Sequence, residues 1–261
     1  IVGLNAAISL REKYPKAKII VLERGVLPSG ASTKNAGFAC FGSISEILSD
    51  LKSHSEQEVQ DLVRQRFEGI ELLRKTLGDK NIDFQTYGGH ELFTERKEGL
   101  YAYCLERLDA VNELLRPVFG SAAFQLQLNL FDFKKIKDNY ISNPFEAQLD
   151  TGKLMKALLR EVQNSGVIIL NSVAVTDFSE IDSGVSVNTS EFDFKTSKLL
   201  LATNGFSSEL LKENVKPARA QVLITNPIAG LRIRGTFHLD EGYYYFRNIE
   251  NRILLGGGRN L

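Results

Sequence analysis

The sequence lacks tryptophan and has one methionine and two cysteines among its 261 residues. Cys40 and Cys104 lie far apart and neither belongs to a CxxC motif, so we expect reduced thiols rather than a disulfide framework or a zinc site. The single methionine, Met155, lies in mid-chain. We therefore expect residue 1 to lie downstream of the translation start.

Excess charge of either sign is also missing, because 32 basic and 32 acidic residues cancel. Nucleic acids and anionic membranes bind to a concentrated positive field, so neither is an expected partner. The densest basic run, at Lys134, Lys135 and Lys137, is typical of a solvated face. No run of about 18 apolar residues occurs and no signal peptide is recognisable, which predicts a cytoplasmic protein without a transmembrane segment.

Short, unbroken apolar stretches occur at residues 19–22, 167–170 and 199–202. Such stretches are typical of parallel strands that are buried on both faces. Helical spacing of apolar residues precedes the first stretch, and a second helical pattern after Asp150 precedes the next one. This alternation of helix and strand predicts a parallel sheet.

The other segments carry different patterns. Long helices are predicted over 58–77 and 95–115. Residues 84–93 are typical of a β-hairpin that turns at Gly88 and Gly89. Further strands, of which the first is expected to be half-buried, are predicted over 124–130, 173–178, 185–188, 192–195, 243–247 and 252–255. Since parallel and antiparallel segments alternate along the chain, we predict an α/β fold, α+β overall, with two intertwined domains.

Gly3 and Glu23 stand 20 positions apart, with a helix and a strand between them. In a dinucleotide-binding βαβ unit, a glycine lets the backbone approach the pyrophosphate, and an acidic residue about 20 positions later holds a ribose hydroxyl. If residues 1–23 belong to such a unit, Gly3 is the third glycine of its G-x-G-x-x-G motif. The alternative is a packing glycine and an exposed carboxylate at a strand end.

Gly30 and Gly37 bracket a loop whose hydroxyl, amide and ammonium groups can donate to phosphate oxygens. Lys34 adds a compensating positive charge. From these residues alone, a flexible loop without a ligand is the alternative interpretation.

Together these features resemble the D-amino-acid oxidase-like family of FAD-dependent oxidoreductases, which includes glycine oxidase, sarcosine oxidase and amino-acid dehydrogenases. Stretches similar to that family occur in its order along nearly the whole chain, at residues 1–7, 22–25, 32–37, 148–150, 171–175, 201–206, 219–221 and 252–257. The resemblance implies a Rossmann-type FAD-binding domain over 1–83 and 146–216. An antiparallel-sheet substrate domain would cover 84–145 and 217–261.

The resemblance also implies which residues bind FAD. The matching positions are Gly3, Glu23, Arg24, Ser32, Thr33, Lys34, Asn35, Ala36, Gly37, Val175, Thr203, Asn204 and Gly205. Glu23, with Arg24 beside it, would hold the adenosine ribose, and the backbone of Val175 would contact adenine. Residues 32–37 would follow the pyrophosphate toward the flavin ring, and residues 203–205 would close over the dinucleotide.

The substrate side is expected in the last hairpin. Tyr243, Tyr245 and Arg247 share one strand face, and a guanidinium with two phenols can bind a carboxylate. The alternative is an aromatic face packed on the sheet with the arginine at its rim. Three histidines without metal-ligand spacing are interpreted as surface or packing residues: His54, His90 and His238.

By resemblance, the protein oxidises a small amine or amino acid by hydride transfer from the C–N carbon to flavin N5, followed by imine hydrolysis. A hydroxy-acid or polyol dehydrogenase and a non-catalytic dinucleotide-binding module are the alternatives. Neither a catalytic base nor an electron acceptor is indicated. Because family members carry a strand and G-x-G before the position of Ile1 and a further segment after that of Leu261, we expect these residues alone to be inactive.

Overall fold

The computed structural model of the chain describes residues 1–211, 214–218 and 220–258. The chain divides into two compact units, each made of two separate stretches. Unit 1 comprises Ile1–Asn35 and Thr151–Arg219, and unit 2 comprises Ala36–Asp150 and Ala220–Leu261. The first boundary between the units follows residue 35, because the helices after it pack into the core of unit 2.

Helices and strands occur in both units. The helices within the described residues are α1 (Val2–Lys13), α2 (Ile44–Asp50), α3 (Glu56–Leu77), α4 (Asp79–Ile82), α5 (Glu98–Phe119) and α6 (Thr151–Asn164). The strands are β1 (Ile20–Glu23), β2 (Phe38–Ala39), β3 (Gly89–Glu91), β4 (Gln125–Leu128), β5 (Asn139–Asn143), β6 (Ala147–Gln148), β7 (Ile168–Asn171), β8 (Val175–Ile181), β9 (Gly184–Thr189), β10 (Asp193–Thr196), β11 (Gln221–Ile224), β12 (Thr236–Leu239), β13 (Tyr244–Ile249) and β14 (Arg252–Gly257). Short 3₁₀ turns cover Ala31–Thr33, Glu95–Lys97 and Asn204–Glu209.

Unit 1 contains the predicted parallel pair. β1 pairs with β7 in parallel, and α1 packs against α6. β8, β9 and β10 form an antiparallel sheet, as predicted. Two expectations are wrong: residues 199–202 form no strand and leave Leu200 60% exposed, and Ile20 of β1 is 37% exposed rather than buried. Among the described residues β1 pairs only with β7, so its other edge has no neighbouring strand there.

The periodicity of apolar residues predicted the two long helices of unit 2, α3 and α5. α3 begins with a capping box between Ser55 and Glu58 and ends at Gly78, which has a positive φ. α5 starts later than predicted because residues 95–97 form a 3₁₀ turn, and Pro117 lies in its last turn. The two helices share an apolar core with β5.

A sheet of seven strands in the order β11-β14-β13-β12-β3-β5-β4 forms the other part of unit 2. The hairpin of β13 and β14 confirms the prediction for the end of the chain. The hairpin predicted over 84–93 is wrong, because β3 pairs with the distant strands β5 and β12. β4 is a strand as predicted, but it lies at the sheet edge and Leu128 is 67% exposed rather than half-buried.

Gly89 in β3 lies where a side chain has no room. A Cβ at this position would overlap the carboxylate of Glu146 and approach the Glu146 Cβ to 2.9 Å. We expect Gly89→Ala to lower the free energy of unfolding by about 1–3 kcal/mol, measured by urea denaturation, since overpacking forces neighbours out of place. Gly69→Ala in α3 is the control: no atom lies within 4 Å of its Cβ, and alanine should stabilise the helix by about 0.5–1 kcal/mol. Equal stability of wild type and Gly89→Ala would contradict the prediction.

Candidate functional site: a nucleotide-binding edge in unit 1 and a polar cavity in unit 2

The carboxyl ends of β1 and β7 meet at one edge of unit 1, where Glu23 lies opposite Asn171. The Glu23 carbonyl accepts from Val173 N at 3.1 Å, and its Oε1 accepts from Gly25 N at 2.8 Å. A Cβ on Gly25 would come within 2.9 Å of the Leu27 carbonyl oxygen. The chain turn after β1 therefore fixes the Glu23 carboxylate at the strand end, where ligands collect in α/β sheets.

The predicted phosphate loop lies at the start of α1. The nitrogen of Ile1 lies 2.7 Å from Ser32 Oγ. Thr33 Oγ1 donates to the Gly30 carbonyl at 3.1 Å, and Asn35 Nδ2 donates to the Ser32 carbonyl at 2.9 Å. A helix N-terminus beside hydroxyl groups favours an anion.

Arg24 is bound to the 3₁₀ turn Asn204–Glu209. Its Nη1 lies 3.3 Å from Glu209 Oε2, and its guanidinium carbon lies 4.2 Å from the centre of the Phe206 ring. These contacts hold the predicted residues Thr203, Asn204 and Gly205 near the end of β1, and Asn204 has a φ of 51°.

The two other predicted positions of unit 1 have simpler surroundings. Val175 begins β8 and lies opposite Thr189 in β9. A Cβ on Gly3 would lie 3.3 Å from the Cβ of Ala202, so this glycine allows close packing inside unit 1.

In unit 2, Arg247 is 6% exposed and uses its guanidinium on backbone carbonyls. Nε donates to Ala36 at 2.5 Å, Nη2 to Leu149 at 3.0 Å and Nη1 to Asn248 at 3.3 Å. Leu149 N in turn donates to the carbonyl of Gly37 at 2.8 Å. Arg247 thus holds the segment that contains the predicted residues Ala36 and Gly37.

These bonds bury Arg247 inside unit 2 rather than at the rim of the sheet, and its predicted carboxylate-binding role stays a prediction. Burial lowers its pKa to about 10, against the opposing charges of Asp150 and Asp83. Tyr243, which precedes β13, and Tyr245, within it, were predicted to act with Arg247.

Unit 2 also contains a cavity of about 300 Å³. Its lining combines positive, negative and aromatic side chains, and consists of Ala36, Phe38, Cys40, Phe41, Gly42, Glu46, Arg66, His238, Gly242 and Tyr245. Of the residues predicted for the substrate, Tyr245 lies in this lining and Tyr243 and Arg247 do not. The Phe38 ring contacts His238 and Tyr245 edge to face, with centroid distances of 5.3 and 5.5 Å.

Behind the cavity wall, His238 forms an ion pair with a buried carboxylate. Its Nε2 lies 2.9 Å from Glu146 Oε2, which also accepts from Thr236 Oγ1 at 2.9 Å. Burial disfavours the charged imidazole, but Glu146, Glu46 and Glu91 together raise the pKa of His238 to about 9. The pKa of Glu146 is lowered, because His238 and the hydrogen bonds from its neighbours outweigh the effect of burial.

A second buried carboxylate, Glu91, lies beside the start of α2. Its side chain accepts from the backbone N of Ser45 at 3.1 Å and from the Ser45 hydroxyl. Burial raises the pKa of Glu91 to about 7, against the effect of those hydrogen bonds and of His238.

The sequence matches the family described as FAD dependent oxidoreductase, DAO, over residues 1–261. The chain belongs to this family. The match confirms the predicted cofactor, FAD, and the predicted class of enzyme, an oxidoreductase. Comparison with curated protein sequences gives no match. Among the described residues, no helix is both long and apolar enough to cross a bilayer.

Solved structures share the fold at low sequence identity. Glycine oxidase from Geobacillus kaustophilus has a TM-score of 0.65 at 17% identity, over 97% of this chain and 69% of that one. L-Amino acid deaminase from Proteus myxofaciens has a TM-score of 0.68 at 16% identity, over 97% of this chain and 55% of that one. L-Proline dehydrogenase from P. horikoshii has a TM-score of 0.66 at 15% identity, over 99% of this chain and 68% of that one. These likenesses confirm the mixed α and β fold class.

The residues of unit 1 in this flavoprotein fit the family cofactor by their chemistry. The Ser32 hydroxyl and the Lys34 ammonium, near the first turn of α1, are donors suited to a pyrophosphate. Glu23 offers an acceptor at the strand end, as a ribose requires. Which of these groups contact FAD stays a prediction.

The role of Arg247 can be tested by Arg247→Lys. One ammonium cannot reach all three carbonyls, so we expect the free energy of unfolding to fall by about 2 kcal/mol or more. Arg252→Lys is the matched control, because Arg252 donates to the Thr225 carbonyl at the surface and should lose less than about 0.5 kcal/mol. Urea denaturation measures both. Unchanged stability with weakened substrate binding would instead support the carboxylate role predicted from the sequence.

Proposed function

We propose that this FAD-dependent oxidoreductase oxidises the C–N bond of a small amine or amino acid. The observation that carries the proposal is the cavity of unit 2, whose lining includes Arg66, His238 and Glu46 together with aromatic rings. Groups of both signs suit a ligand that carries both an amine and a carboxylate. A purely anionic or purely apolar substrate would complement only part of this lining.

The names of the structural neighbours support the same chemistry. They are an oxidase of glycine, a deaminase of L-amino acids and a dehydrogenase of L-proline. The deaminase was solved in complex with anthranilate, a small aromatic ring that carries both an amine and a carboxylate. A cavity of about 300 Å³ is compatible with ligands of that size.

For the cofactor, we propose that Glu23 accepts from the ribose and that Arg24 shapes the neighbouring 3₁₀ turn. Residues 32–37 would bind the pyrophosphate and lead toward the flavin, while residues 203–205 and Val175 would contact the nucleotide. When bound, FAD supplies the hydride acceptor of the reaction. The chain itself would hold the substrate in place, orient its C–H bond and exclude water.

We also propose a cytoplasmic location and a small-molecule substrate without a nucleic-acid partner. The support is the absence of net charge and the two free thiols, Cys40 and Cys104, which suit a reducing compartment.

The role of Glu23 in FAD binding can be measured directly. Glu23→Gln keeps an oxygen for Gly25 N but loses the charge, so we expect FAD to bind about 10- to 100-fold more weakly, the usual range for a charged hydrogen bond. Quenching of flavin fluorescence during titration of the apoprotein gives the dissociation constant. Glu12→Gln, on the exposed surface of α1, is the control and should bind like wild type. Equal affinity of Glu23→Gln and wild type would contradict the assignment.

The reaction class can be tested on the purified, FAD-loaded full-length protein under anaerobic conditions. We expect amines or amino acids to bleach the flavin absorbance, because the oxidised C–N bond reduces the cofactor. Matched hydroxy acids, such as lactate against alanine, are the control and should leave the spectrum unchanged. Bleaching by hydroxy acids alone would favour a hydroxy-acid dehydrogenase. A protein that takes up no FAD would point to a module without catalysis.

A further inference from the structure

We propose that His238 is a specificity-determining residue that donates a hydrogen bond from Nδ1 to the substrate carboxylate, with Glu146 as its positioning residue. The proposal rests on the proposed function, since it names the group that anchors an amino-acid substrate in the cavity of unit 2. It assigns to His238 the role that the sequence suggested for Arg247.

The first support is the fixed orientation of the imidazole ring. Nε2 faces the carboxylate of Glu146, which is fully buried, at 2.9 Å, so Nδ1 is the ring nitrogen that remains for a ligand. His238 lines the cavity, and Phe38, another lining residue, packs edge to face against its ring. A carboxylate behind a histidine sets both the ring orientation and the nitrogen that carries the proton.

Glu146 is itself held in place from several sides. Its Oε2 accepts from Thr236 Oγ1 at 2.9 Å, and its backbone N donates to Asn143 Oδ1 at 2.8 Å. Its side chain also occupies the space above Gly89. This support is expected for a group that must keep another side chain in one geometry.

The charge of His238 decides what Nδ1 can recognise. The charged or titratable neighbours that act on the ring are Glu146, Glu46, Glu91 and His90. The three carboxylates favour the imidazolium form of His238, and the fourth neighbour, His90, has a lowered pKa. At neutral pH Nδ1 of His238 therefore carries a hydrogen. A positively charged N–H donor binds an anionic acceptor and repels an ammonium group. Arg66, in the same lining, adds a second positive charge.

The competing anchor is already engaged. Nε, Nη1 and Nη2 of Arg247 each donate to a backbone carbonyl, and Arg247 is not part of the cavity lining. Moving it toward a ligand would leave the carbonyls of Ala36 and Leu149 without these donors, at the cost of buried hydrogen bonds. His238 needs no such rearrangement.

Binding is tested with benzoate and its neutral counterpart benzamide on the FAD-loaded protein at pH 7, by calorimetry. We expect His238→Gln to bind benzoate about 10- to 100-fold more weakly, the range for loss of a charged hydrogen bond, and benzamide with unchanged affinity. His90→Gln is the matched control, because His90 is also buried but does not line the cavity. Its benzoate affinity should equal that of wild type. Equal benzoate affinity in His238→Gln, or an equal loss of benzamide binding, would overturn the proposal.

Nuclear magnetic resonance of ¹⁵N-histidine-labelled protein supplies a readout that a purely structural role would not move. In wild type, benzoate should shift the His238 Nδ1 resonance, and affinity should fall as the pH rises through about 9, where the imidazolium loses its proton. Glu146→Gln removes the negative charge behind the ring, so the His238 pKa should fall. An unshifted wild-type resonance overturns the contact, and an unmoved pKa in Glu146→Gln overturns the positioning role.

The two proposals fail separately. If amines bleach the flavin but benzoate binds independently of His238, the subsite is wrong and the proposed reaction stands. If no amine bleaches the flavin while benzoate still requires His238, the anion subsite stands and the proposed reaction is wrong.

Discussion

The buried carboxylate of Glu146 is the interaction on which the organisation of unit 2 depends. A charge taken out of water costs several kcal/mol unless it is paired and hydrogen-bonded. Here Thr236 and His238 from β12 supply donors to one oxygen, and Gly89 in β3 leaves the space that the side chain occupies. The ion pair thus fixes the segment before β6 against two adjacent strands of the sheet. Replacing Glu146 with an apolar residue would leave His238 as an unpaired charge in the same place.

The same constraint links stability to the chemistry of the cavity. His238 faces the carboxylate with Nε2 and is a residue of the cavity lining, so any shift of β12 relative to Glu146 would move it. Arg247 acts in a comparable way through the backbone next to the lining. By holding the carbonyls of Ala36 and Leu149, it positions the segment that leads to Phe38 and Cys40 in the lining. Preorganisation of this kind removes the cost of ordering side chains when a ligand binds.

The sequence predicted those elements whose signal is local. α3 follows from apolar periodicity together with Ser55 and Gly78, and the hairpin of β13 and β14 follows from alternation around a polar turn. The hairpin predicted at Gly88 and Gly89 failed because these glycines serve another purpose. Gly88 has a φ of 80° and Gly89 makes room for Glu146, neither of which a local pattern reveals. The expected strand at 199–202 failed for the related reason that an apolar run does not specify a partner.

The candidate site residues also differ in whether the sequence carries a local signal for them. The loop at 30–37 and Glu23 could be proposed as a nucleotide site from the sequence, because glycines, donors and spacing lie within a short stretch of chain. His238 was interpreted as a surface or packing residue, since its partner Glu146 lies 92 positions away. Thr236 and His238 are two positions apart in a strand, so their side chains lie on the same face. This spacing is the single local signal that both side chains share a neighbour. It does not name that neighbour.

The buried titratable groups of unit 2 act on stability in opposite directions with pH. The pKa of His238 is raised from 6.5 to about 9, so its contribution to stability is fully present below 6.5 and is lost as the pH rises through about 9. The pKa of Glu146 is lowered from 4.5. Its contribution to stability is therefore present above pH 4.5 and is lost as the pH falls through its folded-state pKa. The His238–Glu146 pair is therefore charged and stabilising between the folded-state pKa of Glu146 and a pH of about 9.

Glu91 has the reverse effect to Glu146, because its pKa is raised from 4.5 to about 7. Its contribution is greatest below 4.5 and is lost as the pH rises through about 7, where a charged carboxylate must stay buried. Its ionisation also adds to the negative potential that keeps His238 protonated. Ionised Glu91 is costly to bury near neutral pH, but its negative charge helps to keep His238 in the cavity wall positively charged.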